Sequence, residues 1–204
     1  MTFTIVPMQA TDLDAVLAIQ KQAYGTDHLL EERSFFLNRL ALSSDTCWVA
    51  RTNDSLLGYL ISYPWDGSGL PKLNQALATL PKNLNTWFLH DCAVANAARG
   101  QGVAKAMIKT GLEYSRHTGF AQNALVALAE AKIYWPKFGF KEMAISAPWK
   151  EQLQDYGDGA SYMLAKNAHT PANNAIGPRP DPPSASGRCA SVSGSARSNR
   201  PGGT

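Results

Sequence analysis

Arg99-Gly100-Gln101-Gly102-Val103-Ala104 constrains this chain more than any other stretch. The apolar run Trp87-Phe88-Leu89-His90-Asp91-Cys92-Ala93-Val94 precedes it, and helical patterning over residues 103–116 follows it. A strand, a short glycine-rich turn and a helix start together make an anion site. The first helical turn leaves its N–H groups unpaired, and the helix dipole favours negative charge there. Gly100 and Gly102 let the backbone approach an anion with no Cβ in the way. The spacing argues against two other phosphate motifs. A dinucleotide fingerprint needs a third glycine where Lys105 stands, and a P-loop needs a Gly-Lys-Ser/Thr that is absent. A nucleotide-phosphate-binding protein of another class stays as an alternative that both departures oppose.

What is present is Arg-x-x-Gly-x-Ala after a strand ending in Ala-Val. A second apolar run of strand length, Ala124-Leu125-Val126-Ala127-Leu128, comes next. It is followed by Ala131-Lys132-Ile133-Tyr134-Trp135-Pro136-Lys137-Phe138-Gly139-Phe140, which reads as a short helix with glycine at its C-terminal end. Upstream, Phe3-Thr4-Ile5-Val6 alternates like a strand. Thr11 or Asp12 caps a helix with Leu13, Val16, Leu17 and Ile19 on its buried face, closed by Tyr24-Gly25. Residues 31–42 read as a second helix. Cys47-Trp48-Val49-Ala50, the turn Asn53-Asp54-Ser55 and residues 56–63 read as a hairpin, and a last strand falls near residues 161–165. The order is β-α-α-β-β-β-α-β-α-β.

These segments, in this order, resemble the GNAT N-acetyltransferase superfamily over about residues 2–166, with the specific motifs in 87–140. Gly58 matches a glycine the family often carries. The resemblance implies an α+β (mixed α/β) fold: a twisted, mostly antiparallel sheet with a central parallel, splayed strand pair and helices on both faces. It implies acetyl-CoA as co-substrate, with no metal, and transfer of an acetyl group to a primary amine of a small molecule or a protein by direct attack on the thioester. The pyrophosphate would lie on Arg99, Gly100, Gln101, Gly102, Val103 and Ala104, with Lys105 as ionic help or simply a solvated helix lysine. The pantetheine arm would bond the strand backbone at Cys92, Ala93 and Val94, where an N–H also polarises the thioester carbonyl.

An acceptor ammonium must lose a proton before it attacks. His90 and Asp91 are the candidates for that step, and strand alternation lets only one of them face the acetyl group. Asp91 could instead bind a cationic amine, and either residue could be purely structural. Glu130 is a third candidate, although its place at a helix start suits capping. The family's usual tyrosine proton donor is replaced here by Trp135, whose indole is no acid. Tyr134 stands beside it as a substitute, and unassisted thiolate release is equally open because a free thiol titrates near 8.5. The same departure supports a non-catalytic acyl-CoA-binding or interaction domain. Two segments should frame the acceptor pocket: Tyr24-Gly25-Thr26-Asp27-His28-Leu29-Leu30, and the long connection of residues 64–86. Within the latter, Trp65 and Asp66 fit either amine binding or a turn with a packing tryptophan.

One domain over residues 1–167 accounts for these elements. Residues 168–204 hold six Pro, six Ser and five Gly with no aromatic residue, a composition expected of a disordered tail. Four arginines against one aspartate give that tail the whole chain's net charge of +3. The domain is therefore near neutral, and nothing in its charge suits nucleic acid. Cys47, Cys92 and Cys189 lack metal-ligand spacing. Their odd number, with no secretory signal in residues 1–20, suits a reducing cytoplasmic setting. No run approaches the apolar length of a membrane span, so no membrane partner is expected. A homodimer stays open, and the acceptor's identity is not legible.

Overall fold

The computed structural model describes residues 2–25, 27–81 and 84–167. The expected tail, and Cys189 with it, lies outside the described residues.

Seven strands form one sheet: β1 (Thr4–Pro7), β2 (Cys47–Arg51), β3 (Leu56–Trp65), β4 (Thr86–Val94), β5 (Gln122–Ala127), β6 (Lys141–Glu142) and β7 (Ser161–Lys166). Their spatial order is β1-β2-β3-β4-β5-β7-β6. Every neighbouring pair is antiparallel except β4 and β5. That parallel pair follows from its crossover helix α3 (Val103–His117), which returns the chain to the same end of the sheet.

The helices sort by face. Leu13, Val16 and Ile19 of α1 (Leu13–Tyr24) and Phe35 and Phe36 of α2 (Arg33–Ser43) bury one face, against Val49, Tyr59, Ile61, Tyr63 and Phe88. Val103, Met107 and Ile108 of α3 bury the other, against Trp48, Leu60, Trp87 and Leu89. β3 lies between both layers, so it is buried continuously from Leu57 to Pro64, Ser62 included, and its apolar residues do not alternate. Gly58 permits a close strand approach there, since a Cβ would stand 2.7 Å from the Ala93 carbonyl oxygen.

Three sequence expectations need correction. The short helix before Gly139 is a 3-10 segment, Ala129–Phe138, because Pro136 inside it has no N–H to give. The helix expected over 31–42 starts at Arg33, which leaves Glu31 in the connection before it. Two elements went unseen, the two-residue edge strand β6 and helix α4 (Ala147–Gln154). α4 buries no residue fully, so its apolar periodicity is faint.

The parallel pair is short. It runs from Thr86 opposite Gln122 to Leu89 opposite Leu125 and ends there. Beyond it β4 continues to Val94 paired only with β3, while β5 continues to Ala127 paired only with β7. The two strands therefore part, and the expected cleft opens between them.

Candidate active site

The glycine-rich turn sits at the mouth of this cleft. A 3-10 turn, Asn96–Ala98, leads into it, and α3 begins at Val103. Gly100 and Gly102 have φ values of +77° and +80°, the left-handed region that only glycine enters at little cost. A Cβ on either would meet nothing within 4 Å, so conformation and not crowding requires glycine here. Gly102 at the N-cap has no side chain to cap α3, none of the described residues supplies one, and Ala106 N–H makes the first helical bond, to Gly102 O. The N–H groups of Val103, Ala104 and Lys105 are thus open for an anion. This uncapped cradle fits a pyrophosphate. Arg99 and Lys105 are exposed beside it.

The interior of the site depends on one irregularity. Ile61 opposes Asp91 and Ser62 opposes Leu89, so His90 is an extra residue bulged out of β4. Phe88 and Ala93 face α1 and α2, whereas Leu89 and Cys92 face α3. Strict alternation would put His90 and Asp91 on opposite faces. The bulge resets the alternation, and both side chains bond on the α1–α2 side.

His90 is fixed at both ring nitrogens. Its Nδ1 lies 2.8 Å from the Tyr63 hydroxyl and its Nε2 lies 2.9 Å from Glu31 Oε1. Burial raises the Tyr63 phenol above its usual range, although the neighbouring Arg39 guanidinium opposes this, so the hydroxyl keeps its proton. The Glu31 carboxylate can only accept from Nε2–H while it is ionised, and in that tautomer of a neutral ring Nδ1 accepts from the Tyr63 O–H. The His90 and Glu31 side chains are only 1% and 3% exposed.

Asp91 accepts from two phenols: Tyr24 O–H on Oδ1 and Tyr59 O–H, at 2.6 Å, on Oδ2. Burial raises its pKa, and the two phenol hydrogen bonds pull in the other direction. Both phenols are themselves raised, chiefly by burial and next by the Asp91 charge. Cys92 is raised for the same two reasons, and burial pushes Cys47 up to about 12, so neither thiol is a ready nucleophile.

Glu31 is the residue the sequence reading missed. Gln20 clasps its backbone, donating to Glu31 O at 3.0 Å and accepting from Glu31 N at 2.9 Å. Asn74, in the long connection between β3 and β4, holds the same segment from the other side. Its N–H reaches Glu31 Oε1 at 3.1 Å, its amide donates to Leu30 O, and its Oδ1 accepts from Glu32 N at 2.7 Å. Glu31 Oε1 is doubly bonded in this way, while the buried Oε2 has no partner among the described residues.

A cavity of about 170 Å³ opens at this point, where β4 and β5 part. Glu31, His90 and Asp91 supply its polar wall, and Leu29, Leu73, Val126, Leu128 and Tyr156 supply much of the rest. Both segments expected to frame the acceptor pocket contribute, through Tyr24, Leu29 and Leu73. Trp65 does not line it. Its indole donates to Gly69 O at 2.9 Å, and Asp66 caps a turn through Ser68 N, so this pair packs and turns. Glu130 is exposed on the first turn of the 3-10 segment and is not among the lining residues. Trp135 lines the cavity, and its buried Nε1–H has no partner among the described residues. Tyr134, one residue earlier, packs half-buried with the Lys137 ammonium 3.3 Å from its ring centre. Burial, then the nearby Cys92, raises the Tyr134 phenol.

Among the described residues no cluster of His, Cys, Asp and Glu could hold a metal ion, and no helix is long and apolar enough to cross a membrane. No curated protein matches the chain. Solved structures do match in fold. Ard1 from Thermoplasma volcanium is 16% identical over 83% of this chain and 100% of its own, with a TM-score of 0.64. The loading GNATL domain of CurA from Lyngbya majuscula is 10% identical over 81% and 98%, with a TM-score of 0.69. Naa50 of Arabidopsis thaliana, solved with the bisubstrate analogue CoA-Ac-MVNAL, is 12% identical over 82% and 100%, with a TM-score of 0.59. Such identities speak for the fold alone. The model of the acetyltransferase (GNAT) family matches residues 13–140, the span from α1 through the turn, the cleft and the Gly139-Phe140 pair. This chain belongs to the acetyltransferase (GNAT) family.

Proposed function

We propose that residues 1–167 form an acetyl-CoA-dependent N-acetyltransferase that acts on a primary amine. The observation that carries this reading is the position of Glu31 Oε2, an unpartnered buried carboxylate oxygen at the end of the cleft. Acetyl-CoA, when bound, supplies the activated thioester carbonyl. The turn from Arg99 to Ala104 holds its pyrophosphate through backbone N–H groups, and the open β4 edge at Cys92, Ala93 and Val94 takes the pantetheine amides as an added strand would.

Glu31 Oε2 receives the acceptor's ammonium group and takes the proton that must leave before attack. His90 acts as a positioning residue, since its two hydrogen bonds are already committed and hold Glu31 Oε1 in place. Asp91 keeps Tyr24 and Tyr59 in register and adds negative potential on the amine side of the cleft. Tyr134, whose phenol is raised by burial and then by Cys92, serves as the O–H donor for the departing thiolate, and Trp135 offers only a hydrogen bond. The free cysteines Cys47 and Cys92 suit a reducing cytoplasm.

The absence of an acidic side chain at position 135 favours a second reading, an acyl-CoA-binding domain without turnover. Acetyl transfer measured with Glu31→Gln beside the wild type separates the two. Loss of at least about 100-fold in kcat, with acetyl-CoA affinity retained, supports catalysis through Glu31. Tight acetyl-CoA binding with no transfer to any amine supports the second reading.

A further inference from the structure

The lining of the cavity narrows the acceptor, an inference that rests on the acetyl-transfer reading above. Three of the four carboxylate oxygens are satisfied: Asp91 Oδ1 and Oδ2 by Tyr24 and Tyr59, and Glu31 Oε1 by His90 and Asn74 N–H. The fourth, Glu31 Oε2, is buried without a partner among the described residues. A buried acceptor left open is costly, and a ligand's N–H group is the complement that satisfies it.

Among the described residues no lysine or arginine lines the cavity. The buried guanidinium of Arg39 stacks on Phe35 and Tyr63, 4.2 Å and 4.7 Å from their ring centres, and stays outside the lining. A second anion entering this cavity would meet Glu31 and Asp91 with no cation among the described lining residues to offset them. An acceptor carrying a carboxylate next to its amine is therefore rejected by charge as well as by desolvation. The opposite wall is apolar, formed by Leu29, Leu73, Val126, Leu128 and Tyr156. Its volume of about 170 Å³, part of which the acetyl group beside Cys92 takes, leaves the acceptor no more room than the cavity of about 150 Å³ that holds one benzene ring. Tyr156 donates to Pro71 O and Gln152 accepts from Leu70 N, which fixes the segment bearing Leu73 and with it the cavity's upper size.

We infer that the acceptor is a compact apolar primary amine with no carboxylate beside its nitrogen, such as an arylalkylamine or the amide of an apolar amino acid. The ammonium binds Glu31 Oε2, and the apolar group fills the wall of Leu73, Val126 and Tyr156. In the transfer the new N–C bond forms as the thioester C–S bond breaks. Of the three ammonium protons, one stays on the amide product, one ends on the CoA thiol, and one passes through Glu31 to solvent.

Three acceptors that differ in one group test this: 2-phenylethylamine, phenylalaninamide and phenylalanine. CoA release with acetyl-CoA gives kcat/KM for each, and calorimetry of each amine on the protein without acetyl-CoA gives binding. We expect the first two to bind and react, with phenylalanine at least about 100-fold lower in kcat/KM. Glu31→Gln should abolish amine binding, and Leu73→Arg should narrow the gap between phenylalanine and its amide by at least about tenfold. Amine binding without transfer would uphold the ligand class and defeat the acetyl-transfer reading. Phenylalanine equal to its amide, or no binding of either carboxylate-free amine, would overturn the inference.

Discussion

Two carboxylates lie in one cavity, and their roles divide by hydrogen bonding. Asp91 spends both oxygens on phenols, whereas Glu31 spends one and keeps one. The raised pKa of buried Asp91 sets a pH dependence of stability. Its folded-state value lies above the unfolded value, so the native state holds the proton more tightly. Stability from this group is full below about pH 4, the unfolded carboxylate range, and is lost as pH rises through the native value. Asp91→Asn has no such loss. Its melting temperature should gain on the wild type from pH 4 to pH 8, as followed by thermal unfolding at several pH values. A wild-type-to-variant gap constant with pH contradicts the assignment. Tyr134→Phe should lower kcat by less than about tenfold at neutral pH, because a thiol of pKa near 8.5 leaves tolerably without help. Glu31 was illegible in the sequence for a local reason. It begins what reads as helix, and its partner His90 lies 59 residues away.

At the scale of elements, the strands and helices were largely legible because their periodicity agrees with their burial. α1 shows its apolar face and β3 its mostly apolar run without alternation. What escaped reading was the bulge at His90, which no alternation pattern reveals because it consists of a single unpaired residue. α4 escaped because a helix with no buried residue has no strong period. The connection between β3 and β4 was legible as long and functional in length, but not its contact point. That point is Asn74, which sits at φ +56° while bonding Leu30, Glu31 and Glu32. A non-glycine residue there is strained and is kept by what it holds. Asn74→Gly relieves the strain and keeps the N–H on Glu31 but loses both side-chain bonds. Asn74→Ala loses the bonds and adds a left-handed penalty of about 1–2 kcal/mol. Thermal melts should therefore rank Ala below Gly. Both variants should lower kcat with little change in acetyl-CoA affinity, measured by kinetics and calorimetry, since the clamp sits on the amine side. A loss of acetyl-CoA affinity equal to the loss in kcat would show that the clamp does not act through Glu31.

For the whole molecule, one departure between two parallel strands makes the site. β4 and β5 pair for four residues and then part, and the uncapped start of α3 stands at the opening. This arrangement was legible because it follows from a motif with fixed chemistry. Glycines at φ +77° and +80° before an uncapped helix suit an anion, and a crossover helix forces the strands to run parallel. The acceptor side was legible only as its two framing segments and the pair His90 and Asp91, because the rest is assembled from single residues such as Glu31 and Tyr156 that lie far apart in the chain. The central claim, that this cleft holds acetyl-CoA, is tested most directly by calorimetric titration of the full chain, wild type beside Gly102→Val. Valine at φ +80° is strained by about 1–3 kcal/mol and would move the N–H groups proposed to hold the pyrophosphate. Micromolar binding by the wild type, weakened at least about tenfold in a variant that still melts cooperatively, is the predicted result. Equal binding by both, or none by a folded wild type, contradicts the account.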